Sequence, residues 1–342
     1  MTIAPPGGSA LREGGHLPSV TIAYAAYGRD WSEAPVVLVC HALTGSARVA
    51  DWWGDILGPG KLLDTEQYCV VGTNALGGCY GSTGPSSPDE RGAAWGSRFP
   101  VVTVEDMVRM QREALKALGI PRVGAVIGGS LGGMQALEWG AAYPDVAASA
   151  IAIGATGRLS PMGIGLNHIG RSAIRLDPKF HGGDYPPGDG PAEGLTIARM
   201  VGMLSYKSAD LLWQRHGRDA NRGAENPGAG MWSRFDVQGY LDHQGDKLAA
   251  RLDANTYLAL TKAMDLYEVD AAGYRTPTLL VAISSDWLYP PDEVRETARR
   301  LGPAARYVEL ESDHGHDGFL ADPNALTALV RPFLVDGASR GV

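Results

Sequence analysis

The chain has little cysteine, no surplus of positive charge and no long apolar run, and each shortage removes a class of function. Only Cys40, Cys69 and Cys79 occur in 342 residues, with no C-x-x-C pair, so no disulfide framework is available. Lysine and arginine number 30 against 38 acidic residues, a formal net charge of −8, so there is no basic excess to neutralise nucleic-acid phosphates. No apolar run reaches the roughly 20 residues that span a bilayer. The first twenty residues lack a basic segment followed by an apolar one, so no signal peptide is expected and a soluble cytoplasmic protein is the default. The phosphate-binding patterns G-x-x-x-x-G-K-[ST] and G-x-G-x-x-G are missing, which argues against a nucleotide-binding enzyme, and no H-E-x-x-H cluster suggests a metal.

What remains is 44% apolar and 20% charged, enough for a sizeable core, with 46 glycines that follow no Gly-X-Y period. Short apolar runs at 36–40, 68–72, 122–127 and 147–153 read as buried strands. Helical spacing at 103–118 and 134–143 falls between them. Strand and helix in alternation predict a mainly parallel sheet flanked by helices. Residues 158–270 differ. Helical periodicity at 196–215 and 247–266 is separated by loop-like sequence at 177–194 and 217–230, with almost no strand signal. The alternation returns with a strand at 277–283, a helix at 291–301, a strand at 306–310 and a helix at 323–334. The expected architecture is one discontinuous α/β core, 1–157 with 271–342, carrying a helical cap at 158–270.

The sharpest local signal is G-x-S-x-G centred on Ser130, in GGSLGG at 128–133. An apolar strand runs into it and a helical pattern runs out. Such a strand-to-helix turn needs small neighbours, because side chains at Gly128 and Gly132 would collide across it. It would set Ser130 at the head of a helix as a nucleophile, with the Leu131 N–H facing a developing oxyanion. A serine hydroxyl needs a base, and in such folds the partners follow in the order serine, acid, histidine. Asp286 follows a late strand and is the candidate acid. Asp292 sits where an N-terminal helix acid is expected. After the last strand come His314 and His316, and order alone does not choose between them; the flexible Gly315 and the apolar Phe319–Leu320 favour His316. The neutral His316 ring would take the serine proton, with Asp286 fixing its tautomer. The loop after the 36–40 strand should supply a second oxyanion donor, which nominates the Leu43 amide. His41, on the wrong strand for a base, reads as structural. Trp52 and Trp53 would pack or line an entrance, and the small-residue loop 74–87 lies where open α/β sheets bind ligands.

CHALTGSA (40–47), NALGGCYGSTGPSS (74–87), FPVVTVEDMVRMQ (99–111), GGSLGGMQALEWG (128–140), ARMVGMLSYKS (198–208), SSDWLYPP (284–291) and GHDGFL (315–320) together closely resemble the homoserine O-acyltransferases of the α/β-hydrolase superfamily, mostly acetyltransferases. The resemblance implies an α/β-hydrolase fold and selects His316. It implies that Ser130 takes the acetyl group from acetyl-CoA and passes it to the hydroxyl of L-homoserine, a step toward methionine. Acetyl-CoA would be a co-substrate, with no permanently bound cofactor and no metal. The same resemblance implies that Arg199 and Asp317 bind homoserine. An arginine fork suits an α-carboxylate and an aspartate suits an α-ammonium. Tyr206, two helical turns from Arg199, can share its face and help line the pocket. A homodimer with cap helices at its interface is also implied, without nucleic-acid or membrane partners.

Three alternatives stand beside this reading. The same framework serves succinyl-CoA or L-serine in related enzymes. A serine esterase would use the same triad with water as acceptor. A non-catalytic binding module on this fold would have no need for the ordered triad.

Overall fold

The computed structural model describes residues 1–3, 8–221 and 226–340, so 222–225 of the expected 217–230 loop lie outside the described residues. Strands β1 Tyr24–Gly28, β2 Val36–Cys40, β3 Cys69–Thr73, β4 Ala125–Gly129, β5 Ala150–Ile153, β6 Thr278–Ile283 and β7 Ala305–Leu310 form one sheet. Its order is β7-β6-β5-β4-β2-β3-β1. Every pairing is parallel except β1 with β3. Strands β2 to β6 are buried along their whole length, which is why they read as continuous apolar runs. Alternate side chains enter opposite layers: Val37 and Val39 join Ile127, Ile153 and Val281, whereas Val36 and Leu38 join Val126 and Trp139.

Helix α1 Val104–Ala117 opens with a capping box between Thr103 and Asp106. Helix α2 Leu131–Ala142 follows β4 without a connecting loop, and its first ten residues are buried. It begins three residues before the periodicity suggests, because the serine turn feeds it directly.

Between β5 and β6 the described residues form five α-helices: α3 Pro161–Leu176, α4 Ala192–Ser205, α5 Ala209–His216, α6 Asp236–Ala249 and α7 Ala254–Leu266. Three corrections to the sequence reading arise here. Periodicity at 196–215 covers two helices, because the Ser208 hydroxyl accepts from Leu211 N–H and starts α5 afresh. The stretch 247–266 is likewise split, since Asp253 accepts from Thr256 N–H and caps α7. Helix α3 gave no expectation, although Ser160 caps it and Pro161 occupies its first turn. Gly163, Gly165 and Gly170 depress its propensity, and packing on α4 and α7 compensates. The chain closes with α8 Pro291–Leu301 and α9 Pro323–Arg340, the latter running past the expected end at 334. Short strand pairs near the amino terminus, Thr2–Ile3 with Val20–Thr21 and Ser9–Ala10 with His16–Leu17, also lay beyond the sequence reading.

Parallel pairing puts the carboxyl ends of β2, β4, β6 and β7 on one edge of the sheet. Leu43, Ser130, Asp286 and His316 each follow one of these ends. No described helix is long and apolar enough to cross a membrane.

Candidate active site

Ser130 occupies a backbone conformation that L-residues avoid, φ 57° and ψ −125°. Only one other described non-glycine residue, His181, has positive φ. Such strain persists only where the surroundings enforce it. Here Ser130 N–H donates to the Ile153 carbonyl at 2.9 Å, and its own carbonyl accepts from Met134 N–H at 3.1 Å. The turn closes because its neighbours lack side chains. A Cβ on Gly132 would lie 2.1 Å from the Cys40 carbonyl oxygen, and one on Gly128 would lie 2.4 Å from the Gly132 carbonyl. Leu131 is the first residue of α2, so its N–H is among those without an intrahelical acceptor. Leu43 and Ser130 line the same cavity.

His316 and Asp286 are brought into contact. His316 Nδ1 lies 2.7 Å from Asp286 Oδ2, with both side chains almost wholly buried. The other carboxylate oxygen, Oδ1, accepts from Leu288 N–H at 2.9 Å and Tyr289 N–H at 3.0 Å. With Nδ1–H donating to the carboxylate, Nε2 is the lone-pair nitrogen, and it is buried with no hydrogen-bond partner. Burial alone would push the His316 pKa down. The adjoining Asp286 carboxylate, with Asp317 further off, outweighs it and raises the pKa above the ordinary imidazole value. His314 makes no contact of this kind with Asp286.

Aromatic rings fix the imidazole. Tyr289 stacks on it at 5.1 Å, Tyr206 lies at 5.6 Å and Phe319 meets it edge-on at 5.9 Å. Phe319 is held in turn by Trp53, whose indole N–H donates to its carbonyl at 3.0 Å and whose ring meets it edge-on at 5.9 Å. Trp52 stacks on Trp53 at 5.1 Å. This tryptophan pair supports the histidine loop from behind. Gly315 is required by close approach rather than for flexibility: at φ +67° its Cβ would meet Ser208 N at 2.6 Å.

His41 is buried beside the site with both ring nitrogens engaged. Nδ1 donates to the Ala42 carbonyl at 2.8 Å and Nε2 accepts from Ala75 N–H at 2.9 Å, which pins the start of the 74–87 loop. Asp292 lies in the first turn of α8 and pairs with Arg295.

The cavity at Ser130 has a volume of about 30 Å³ and no charged side chain in its wall. Leu43, Leu159, Leu166, Val201, Met264 and Leu288 give it an apolar lining, and the polar groups include Tyr206, Tyr257 and Tyr289. Arg199 and Tyr206 share a face as their spacing predicts, with the guanidinium 5.5 Å from the ring centre. Arg199 Nε is buried without a hydrogen bond. Asp317 is not free: its Oδ2 accepts from Lys207 Nζ at 2.7 Å. Lys207 and Tyr289 stand inside the motifs SYKS and SSDWLYPP, but only their three-dimensional contacts distinguish them from ordinary surface and core residues. Among the described residues no group of three or more His, Cys, Asp or Glu side chains could hold a metal.

The family described as alpha/beta hydrolase fold matches residues 35–323. A homoserine O-acetyltransferase from Symbiobacterium thermophilum is 46% identical over 95% of this chain and 91% of its own length. A homoserine O-succinyltransferase from Laribacter hongkongensis is 42% identical over 95% of this chain and 92% of its own. Among solved structures, homoserine O-acetyltransferase from Bacillus anthracis superposes with a TM-score of 0.87 at 25% identity, covering 98% of this chain and 96% of that one. Esterase E22 superposes with a TM-score of 0.88 at 24% identity over 98% and 99% of the two chains, a likeness of fold alone. With this sheet order, this serine turn and relatives matched over almost their full length, the chain belongs to the homoserine O-acetyltransferase family of the α/β-hydrolase superfamily.

Proposed function

We propose that the protein transfers an acetyl group from acetyl-CoA to the side-chain hydroxyl of L-homoserine through an acyl-enzyme on Ser130. In the first half-reaction Ser130 Oγ attacks the thioester carbonyl while His316 Nε2 takes the hydroxyl proton. The C–S bond breaks, and the leaving CoA sulfur receives that proton. In the second, His316 takes the proton of the homoserine hydroxyl as its oxygen attacks the acyl carbon. The bond to Ser130 breaks and the proton returns to Oγ. Asp286 stabilises the imidazolium in both steps, and the Leu43 and Leu131 amides receive the oxyanion. Homoserine O-acyl transfer as the reaction class is supported by the names of relatives matched over nearly full length.

The observation that carries the acetyl assignment is the uncharged wall of the cavity at Ser130. A succinyl carboxylate placed there would meet no charged side chain in the cavity wall itself, at a desolvation cost that an acetyl group avoids. For the acceptor, Arg199 would bind the α-carboxylate and Asp317 the α-ammonium, with Tyr206 against the guanidinium.

Initial rates with acetyl-CoA or succinyl-CoA, crossed with L-homoserine or L-serine, test the assignment. Acetyl-CoA with L-homoserine should be the fastest pair by at least about tenfold, the effect of roughly 1.4 kcal/mol. A faster succinyl-CoA reaction would overturn the donor. Acetyl-CoA hydrolysis equally fast with and without homoserine would overturn transfer itself.

A homodimer belongs to the same proposal. Met162, Ile169 and Leu176 recur at heptad spacing on α3 and are 52–82% exposed, and Ile197 and Leu204 are exposed on the neighbouring α4. An apolar stripe of this kind is what an isologous contact between helices would cover.

A further inference from the structure

The short connection between α4 and α5, Tyr206 to Ser208, is tied to both loops that carry the candidate acid and base. Trp287 Nε1, beside Asp286 in sequence, donates to the Lys207 carbonyl at 3.0 Å. Asp317 N–H donates to the Tyr206 carbonyl at 3.3 Å, and Ser208 Oγ donates to the Asp313 carbonyl at 2.5 Å. The fourth tie is ionic. Lys207 Nζ reaches Asp317 Oδ2 at 2.7 Å, with only 11% of the lysine side chain and 22% of the aspartate side chain exposed.

That pair divides the work of one carboxylate. Oδ2 is held by Lys207, whereas Oδ1 makes no hydrogen bond to the described residues. A carboxylate can accept along several directions, so a second cation at Oδ1 is sterically and chemically compatible with the first. The Arg199 guanidinium lies 5.5 Å from the ring centre of Tyr206, the residue whose carbonyl accepts from Asp317 N–H, and its buried Nε is unpartnered. The charges of Asp317, Arg199 and Arg215 are also felt at the Tyr240 hydroxyl. An ammonium at Oδ1 and a carboxylate at Arg199 describe a zwitterionic amino acid. Without Lys207, Oδ2 is released and the carboxylate is free to turn toward solvent.

We propose that Lys207 is a specificity-determining positioning residue: by holding Oδ2 of Asp317 it fixes Oδ1 as the acceptor for the α-ammonium of the amino-acid substrate. The inference rests on the acyl-transfer reading for the identity of that substrate. It assigns Lys207 to the second half-reaction alone, because the thioester donor carries no ammonium to place. A lysine that only ties the helical segment to the core would affect both halves together.

The test uses Lys207→Met, which keeps the length of the side chain and removes its charge, with Lys207→Arg as the conservative variant. Rapid mixing with acetyl-CoA alone reads the burst of CoA, and steady-state titration reads the acceptor. In Lys207→Met the burst should stay within about twofold of wild type while the homoserine KM rises at least about tenfold, the usual scale for losing one charge-assisted contact. Lys207→Arg should recover most of that loss. Transfer to 4-hydroxybutanoate, which has the hydroxyl and carboxylate but no ammonium, should be equally slow in wild type and Lys207→Met. An unchanged homoserine KM, or a burst that falls in step with the acceptor reaction, would overturn the proposal. If wild type itself gives no burst, the Ser130 reading fails instead. Equilibrium dialysis with labelled L-homoserine then decides the lysine: weaker binding to Lys207→Met supports it, equal binding overturns it.

Discussion

His316 Nδ1 and Asp286 Oδ2 are 2.7 Å apart in a site from which water is largely excluded, and the remaining carboxylate oxygen is saturated by two backbone amides. This carboxylate cannot rotate away from the ring without abandoning those amides. The proposed base is therefore locked in one tautomer before any substrate arrives.

The first prediction follows from the raised pKa of His316. A raised value keeps the ring protonated, and inactive as a base, to higher pH than a free imidazole. The acid limb of kcat/KM for acetyl-CoA should thus lie above the ordinary histidine value of about 6.5. Asp286→Asn removes the opposing carboxylate and leaves burial, so the limb should move to lower pH. The plateau should fall on the order of ten-thousandfold as the wrong tautomer is favoured. A pH–rate profile of both proteins checks this; an unmoved limb would contradict it.

Two glycine substitutions should separate in sign. Gly132→Ala forces a Cβ to 2.1 Å from a backbone oxygen, and backbone cannot step aside as a side-chain tip can. Its cost should exceed about 3 kcal/mol. Gly165→Ala, inside α3 with nothing in its own chain within 4 Å of the new methyl, should raise the stability of the single chain by roughly 0.5–1 kcal/mol through helix propensity. Denaturant unfolding of the two variants gives both numbers, and equal midpoints would refute the close approach at Gly132.

Glu138 on α2 is 8% exposed, and burial, reinforced by Glu105, pushes its carboxyl up to about 8. An unfolded glutamate titrates near 4.3. The folded state therefore binds this proton more tightly, so its contribution is fully present below the unfolded value and is lost as pH rises through about 8. Glu138→Gln stays neutral throughout. Relative to wild type it should gain stability on going from acidic to mildly alkaline buffer. Unfolding curves at both ends of that range test the sign.

The apolar stripe on α3 predicts a solution interface. Ile169→Glu, 52% exposed in one chain, should shift the protein from dimer to monomer in sedimentation analysis without altering the fold. A wild-type monomer, or a variant dimer of unchanged affinity, would count against the stripe as the contact.

Much of this site was legible because its constraints are local. Gly128, Ser130 and Gly132 sit within five residues, and a buried strand and a buried helix flank them, so pattern alone reveals the turn. The fully buried strands read as apolar runs for the same reason. What escaped had a weak local pattern, a cap hidden inside a continuous one, or contacts distant in sequence. Edge strand β1 alternates exposed and half-buried residues and carries little apolar signal. Helix α3 is held by packing against α4 and α7 despite its glycines. The breaks at Ser208 and Asp253 come from side-chain caps inside otherwise continuous periodicity. Lys207 matters through Asp317, 110 residues away, and no spacing rule reaches that far.

Mass spectrometry of the quenched enzyme after mixing with acetyl-CoA alone tests the central claim most directly. One acetyl group is expected on the peptide containing Ser130, absent from Ser130→Ala and discharged when L-homoserine is added. Full turnover by Ser130→Ala, or an acetyl group that L-homoserine cannot remove, would contradict it.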